Sequence, residues 1–515
     1  MTTPPLSSER VSSGIAGLDR LLHGGLLKGR LYLIMGPPGS GKTILSNQIC
    51  FHHVAHGGRV LYLTLLAETN SRLLADLQAF AFFRAAPISD TLFYVSGYQT
   101  LLQEGLAGLL TLLRTEIQRL GATMLVLDGA VIAEDVAPHS LDWKQFLHGL
   151  RATIEILNCT TFLLSPLHHM AASSGEQTLV EGIIELARHR DDARLVRELE
   201  IHKFRGSGFV EGRHLYVINE TGVQLFPRIE ALFTGSAEVL ARKDISPVLP
   251  ERLPVGIAQL DAMLHGGLPA GSTTLLLGEA GTGKTLLGSH FLLQGARQGQ
   301  RGLYYGFFEH PAELLRKLRP FEPATSRFVA DGLLAVHWQS PLQNHLDPLA
   351  EHLLQVIEQT GTQRLFLDGL DGFQRSVASA ERLDLFLTAL LAALRQREVT
   401  TICSIKLPNL FSSTIAVPPS LEGIISLVGN VVILRHVELR SQLYRLISIL
   451  KMWESDYDPS IREFRIHEQG IEIAPTFASA EAILTGIAHA QQRDGELRGF
   501  PEDGAPSAFS QAEEL

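Results

Sequence analysis

What is scarce in this chain narrows its reading first. The 515 residues hold only three cysteines, Cys50, Cys159 and Cys403. They are far apart and lie in or beside apolar runs, which excludes a disulfide framework and zinc spacing and leaves buried free thiols in a reducing compartment. Charge is modest: 44 basic residues face 54 acidic ones, a net −10 that argues against a surface wrapping a nucleic-acid duplex. No apolar run is long enough to span a bilayer. The opening MTTPPLSSER lacks the apolar core of a signal peptide. A cytoplasmic globular protein with no membrane contact is expected, and at this length one core cannot serve the whole chain.

What is present is a pair of glycine-rich octapeptides, GPPGSGKT from Gly36 to Thr43 and GEAGTGKT from Gly278 to Thr285. Both fit G-x-x-x-x-G-K-[ST], a loop whose backbone N–H groups turn inward round a phosphate chain. The residues that would form the cradles are Gly36, Gly39, Ser40 and Gly41, and Gly278, Gly281, Thr282 and Gly283. Lys42 and Lys284 would reach the β- and γ-phosphates, and Thr43 and Thr285 would offer hydroxyls to Mg²⁺. A lone match also fits a plain glycine turn. Here each copy follows an apolar strand (Leu31–Met35, Thr274–Leu277) and opens a helical run, the context in which a helix N-terminus adds partial positive charge. Two ATP sites are predicted.

The loops belong to a longer repeat. GIAGLDRLLHGGL from Gly14 and GIAQLDAMLHGGL from Gly256 lie 242 residues apart, as do the two loops. Asp128 and Asp368 are 240 apart, and Lys203 and Lys451 are 248 apart. Two tandem domains are therefore expected, residues 1–245 and 246–490, with a flexible acidic tail over 491–515. Within each copy, apolar runs without polar alternation alternate with helical patterns. Val60–Leu65, Thr123–Leu127 and Thr161–Leu164 are such runs, as are Gly302–Phe307, Arg364–Leu367 and Val399–Ser404. Strands of that kind are covered on both faces, so the fold class is α/β: a mainly parallel sheet between helices, twice. Later segments such as Glu198–Lys203 and Gln442–Met452 read as antiparallel additions.

The remaining site parts follow from what ATP chemistry needs. Asp128 in MLVLDG and Asp368 in RLFLDG end buried strands, where a carboxylate can hold Mg²⁺ through its water shell; each could instead cap the next helix. Asp371 is a neighbouring alternative in the second copy. Glu68 and Glu309 follow the next strand and suit the orienting of an attacking water, against the plainer role of first-turn acids favoured by a helix dipole. Lys203 and Arg205 alternate on an expected strand and so share one face. They are either a solvated basic face or a cation pair for a γ-phosphate; the second copy keeps Lys451 but has Trp453 where the Arg stood. His168-His169 has no third ligand at metal spacing, and Leu101–Leu113 reads as an amphipathic core helix.

The LD..LHGGL opening, the phosphate loop, the LDG strand end, EQTLVEGIIEL from Glu176, HKFRGSG from His202 and the IREF ending together resemble the KaiC group of the RecA superfamily, over about Val11 to Ala488. The resemblance implies two RecA-like domains and homohexameric rings with ATP at subunit interfaces. It further implies slow ATP hydrolysis in the first ring, and serine/threonine autokinase activity in the second. It implies that Lys203, Arg205 and Lys451 act on a neighbouring subunit's nucleotide. Two departures stand out. The family pattern has paired acids after the second strand, whereas this chain has Ala67-Glu68 and Phe308-Glu309. The family's Ser-Thr acceptor pair aligns with Ile425-Ser426, leaving Ser426 as the one candidate phosphosite. The expected function is a regulatory ring ATPase with an unnamed protein partner. The alternatives are a DNA-handling motor, disfavoured by charge, and an ATP-locked scaffold with little turnover.

Overall fold

The computed structural model describes residues 9–66, 70–137, 139–166, 179–191, 194–233, 251–340, 345–374, 380–407, 419–439, 442–453, 456–468 and 470–485. The chain divides into two compact units, residues 1–240 and 241–515.

In the first unit a short antiparallel pair, β1 (Arg10–Val11) with β2 (Leu26–Leu27), precedes a nine-stranded sheet. Its parallel part is β3 (Leu31–Met35), β4 (Val60–Thr64), β5 (Leu92–Ser96), β6 (Met124–Asp128), β7 (Thr160–Ser165) and β8 (Gly182–Asp191). An antiparallel run follows: β9 (Arg194–Phe204), β10 (Arg213–Asn219) and β11 (Gly222–Phe226). Across the sheet the order is β5-β4-β6-β7-β3-β8-β9-β10-β11.

The second unit repeats this plan. After the pair β12 (Arg252–Leu253) and β13 (Leu268–Pro269) come β14 (Thr273–Gly278), β15 (Gly302–Gly306), β16 (Leu334–Trp338), β17 (Arg364–Asp368) and β18 (Thr400–Lys406). They are followed by β19 (Asn430–Leu439), β20 (Gln442–Lys451), β21 (Arg462–His467) and β22 (Gly470–Ile473). The order β16-β15-β17-β18-β14-β19-β20-β21-β22 is the same, position for position. The expected α/β fold with antiparallel additions is what forms, and the strands anticipated from apolar runs end within a residue or two of their observed limits.

The runs lack polar alternation because both faces of the sheet are buried. Tyr32, Ile34, Tyr62, Val126 and Phe162 pack on one face with Leu45, Ile49 and Phe51 of the helix Lys42–Ala55. Their neighbours Leu31, Leu33, Leu63, Leu125 and Leu163 pack on the other with Trp143, Leu147 and Ile154 of the helix Ser140–Leu157. Leu101, Leu109 and Leu113 join that second face from Tyr98–Leu120, which is not the one helix expected but two helical stretches meeting at Gly105, whose backbone (φ 65°, ψ −160°) is not helical. The edge strands β5 and β16 were not anticipated, and they are only half-buried.

The three cysteines are buried and form no disulfide, and burial pushes the Cys159 and Cys403 thiols up to about 12. Among the described residues no helix is long and apolar enough to cross a membrane. Glu68, His168-His169 and residues 491–515 lie outside the described residues.

Candidate active sites

Each phosphate loop leaves the carboxyl end of the central strand of its sheet, β3 or β14, where open α/β sheets bind ligands. Glycine is required at the exit because the neighbouring strand crowds it. A Cβ on Gly36 would sit 2.4 Å from the carbonyl oxygen of Leu186, and one on Gly278 would sit 2.6 Å from that of Leu434. At the far end Gly41 (φ 100°) and Gly283 (φ 102°) hold left-handed backbone as helix N-caps, which a side chain resists. The helices Lys42–Ala55 and Lys284–Arg297 therefore begin on the loop lysines, and their first N–H groups face the space the loop encloses.

The lysines fold back onto their own loops. Lys42 donates to the carbonyls of Gly36 at 2.7 Å and Pro37 at 3.2 Å; Lys284 donates to those of Gly278 at 2.8 Å and Glu279 at 2.7 Å. Burial lowers both ammonium groups, Lys284 to about 8, while the nearby Asp128 or Asp368 opposes the shift. A half-buried cation whose hydrogen bonds among the described residues go to carbonyls is poised for a stronger anion. In the first loop the Ser40 hydroxyl is fully buried and has no hydrogen-bond partner among the described residues. These features fit a polyphosphate.

The strand-end aspartates sit directly behind the loops. Thr43 donates to Asp128 Oδ2 at 3.3 Å, and Thr285 to Asp368 Oδ2 at 2.9 Å. A buried tyrosine from the adjacent strand binds the same oxygen in each unit: Tyr62 to Asp128 at 2.7 Å and Tyr304 to Asp368 at 2.9 Å. Asp368 has a further side-chain donor, Ser404, at 2.6 Å to Oδ1, and the serine in turn accepts the Gly369 N–H at 2.8 Å, while Asp128 has the Gly129 backbone N–H. The residue in register with Asp128 on β7 is Leu164, which has no hydroxyl. Burial raises the Asp128 carboxyl, against Tyr62, Thr43 and Lys42, which lower it. A threonine hydroxyl beside a carboxylate at the mouth of a phosphate loop is a donor set suited to Mg²⁺ and its waters.

The tyrosines were not singled out from the sequence, although Tyr62 and Tyr304 are separated by the same 242 residues as the loops. A further unanticipated pair lies in the second loop, where Glu279 and His436 Nδ1 meet at 3.3 Å, both buried.

The other candidates are not gathered at the loops. Glu309 lies just beyond β15, paired with Lys317 at 2.7 Å, while the ring of Phe308 covers Gly369 beside Asp368. Lys203 is on β9 opposite Ile183, which pairs with Leu33. Arg205 is past the end of that strand, in a turn, and its N–H binds the Glu181 carbonyl at 2.8 Å. β9 ends at Phe204, one residue short of the strand expected to carry both; burial lowers the Lys203 ammonium, and the Arg205 guanidinium is close enough to lower it further. Lys451 pairs with Val431, at the start of β19, and donates to the carbonyls of Ile425 and Val428 at 3.1 and 2.8 Å. These cations sit toward the amino ends of their sheets, about 10 Å along the strand direction from their own phosphate loops. Ser426 is exposed in the last turn of the helix Pro419–Leu427. Trp453 is also exposed, with the Arg395 guanidinium 5.5 Å from its ring.

Comparison with known proteins adds an independent finding. A family model described as the KaiC ATPase matches residues 11–230 and again 253–477. Among curated relatives, the circadian clock oscillator protein KaiC of Picosynechococcus is 25% identical, over 93% of this chain and 92% of that protein. KaiC of Synechococcus elongatus is 24% identical over 94% of each, and the circadian clock protein KaiC3 of Synechocystis is 26% identical over 93% and 94%.

Proposed function

This chain belongs to the KaiC family of ATPases, and from that premise we propose that it is a cytoplasmic ring ATPase of regulatory type, binding Mg·ATP in both units. The observation that carries the reading is the pairing of each phosphate-loop threonine with a strand-end aspartate, Thr43 with Asp128 and Thr285 with Asp368. The loop amides of Gly36–Thr43 and Gly278–Thr285 bind the phosphates, with Lys42 and Lys284 turning from their own carbonyls to the β/γ oxygens. Thr43, Asp128, Thr285 and Asp368 hold the metal and its waters. Bound Mg²⁺ would supply neutralisation of charge on the β/γ oxygens. Glu68 orients the attacking water in the first unit, and Glu309 is its counterpart in the second.

The location of Lys203, Arg205 and Lys451 supports assembly. Cations roughly 10 Å along the strand direction from their own loop serve a nucleotide best when it belongs to the next copy, in a head-to-tail contact that closes into a ring. A homohexamer is the state we propose, with ATP turnover altering the ring and its affinity for a protein regulator.

One observation favours a second reading for the second unit. Glu309 is engaged by Lys317, and Phe308 occupies the position next to it, so this site would hold ATP mainly as a structural ligand. Autokinase activity at Ser426 is a further part of the proposal, supported by its exposure beside Lys451.

The test is ATP turnover of the purified protein beside Glu68→Gln and Glu309→Gln, with oligomer mass measured with and without Mg·ATP. Loss of turnover in Glu68→Gln with a persisting hexamer supports the regulatory ATPase. Assembly that needs ATP without turnover supports the scaffold. Phosphopeptide mass spectrometry after incubation with Mg·ATP tests Ser426; its absence at good coverage removes the kinase activity.

A further inference from the structure

We propose that Tyr62 and Tyr304 are positioning residues that orient the metal-binding carboxylates of Asp128 and Asp368. The inference rests on the reading of these aspartates as Mg²⁺ partners.

The two tyrosines occupy the same place in each repeat. Tyr62 is on β4, paired with Val126 of β6, and its phenol runs along the shared face to the aspartate two residues further on. Tyr304 does the same from β15, paired with Phe366 of β17. Both rings are buried, at 0% and 1% exposure, and pack within the hydrophobic clusters of their units, with the Ser46 hydroxyl also beside the Tyr62 phenol. A phenol there must find an acceptor or leave a buried hydroxyl unpaired, and in both units it meets the oxygen that also accepts from the loop threonine.

The two units differ in how the carboxylate is held, because the threonine would offer a metal an oxygen lone pair while its O–H stays on Oδ2. In the first unit the side chains donating to Asp128 among the described residues, Tyr62 and Thr43, both do so at Oδ2, and Tyr62 is the shorter at 2.7 Å against 3.3 Å. In the second unit Asp368 keeps Tyr304 on Oδ2 and Ser404 on Oδ1. A carboxylate whose side-chain donors sit on one oxygen, with only the Gly129 backbone N–H besides, is less firmly fixed when its shorter bond goes than one with side-chain donors on both oxygens. The first unit therefore depends on its tyrosine more than the second does.

The experiment measures ATP affinity by calorimetry across a Mg²⁺ titration and in chelator, in the full-length chain. Lys284→Met isolates the first site and Lys42→Met the second. Tyr62→Phe is expected to raise the Mg²⁺ concentration for half-maximal affinity about tenfold, the scale of one hydrogen bond to a charged group. Tyr304→Phe is expected to raise it by less. Affinity in chelator should be unchanged in both. The control is Tyr94→Phe: its ring lies 5.2 Å from that of Tyr62, but its hydroxyl donates to Asn47 at 2.7 Å. It shares any general cost of losing a buried hydroxyl and should leave the Mg²⁺ dependence alone. Tyr62→Phe moving that dependence no further than Tyr94→Phe overturns the inference for the first unit, and an unmoved Tyr304→Phe overturns it for the second. A parent protein that binds no Mg·ATP at either site removes the underlying reading as well.

Discussion

Thr285 and Asp368 are hydrogen-bonded at 2.9 Å across the mouth of the second phosphate loop, and Thr43 and Asp128 at 3.3 Å across the first. The carboxylate is the one anion each site offers a metal from its strand end. Asp128→Asn and Asp368→Asn should each lower Mg²⁺-dependent ATP affinity at their own site by about 10- to 100-fold. Calorimetry with and without chelator checks this, and the difference should vanish in chelator.

Lys284 carries a pH signature. Its value in the fold, about 8, lies below the ordinary 10.5 because burial penalises the ammonium. Between those values the unfolded chain holds more protons, so this group's destabilising effect on the empty fold is full below about 8 and relieved as pH rises above it. A bound polyphosphate restores the charge. ATP binding measured one pH unit above this value should therefore take up protons, and affinity should fall as pH rises through it. Calorimetry in buffers of different ionisation enthalpy reads the uptake; Lys284→Arg should abolish it, since guanidinium stays charged.

Glu309 is held by Lys317 at 2.7 Å. Lys317 is well exposed, so its removal costs the fold little, within about 0.5 kcal/mol. In a Glu68→Gln background, Lys317→Ala should raise the residual turnover of the second site by freeing the carboxylate. A steady-state phosphate-release assay decides: no increase means Glu309 does not orient water there.

Arg364 is fully buried at the start of β17, with bonds to Gln300, Gln298 and the carbonyls of Pro254 and Phe291, and its guanidinium 4.7 Å from the Phe291 ring centroid. Burial lowers it to about 10, so it remains charged at neutral pH. Arg364→Ala leaves four acceptors without their donor and should destabilise the second unit by about 3–5 kcal/mol. Arg364→Lys should recover only part, because an ammonium cannot reproduce the planar fork. Thermal unfolding of the full chain would register both.

The division between what could be read and what could not follows from the range of each interaction. Phosphate loops, strand-end aspartates and the tandem repeat are local patterns with fixed spacing, so Lys42, Thr43, Asp128 and their partners in the second unit were visible directly. The tyrosines that bind those aspartates come from a different strand, and a Tyr in an apolar run looks like any core aromatic. The end of β9 at Phe204, one residue before Arg205, was not legible for a similar reason, because where a strand stops depends on its pairing with β8 and not on its own composition.

By itself, then, the order of residues determined two repeats, an α/β sheet covered on both faces, and two loops shaped for phosphate. Those are matters of periodicity and backbone freedom, which each segment carries alone. Only the tertiary structure decided which donors converge on Asp128 and Asp368, that Ser404 gives the second a clamp the first lacks, and that Lys317 holds Glu309. It also decided that Lys203 and Lys451 sit toward the end of the sheet away from their own loops. These depend on strand register, and one residue of slip would send every such side chain to the opposite face.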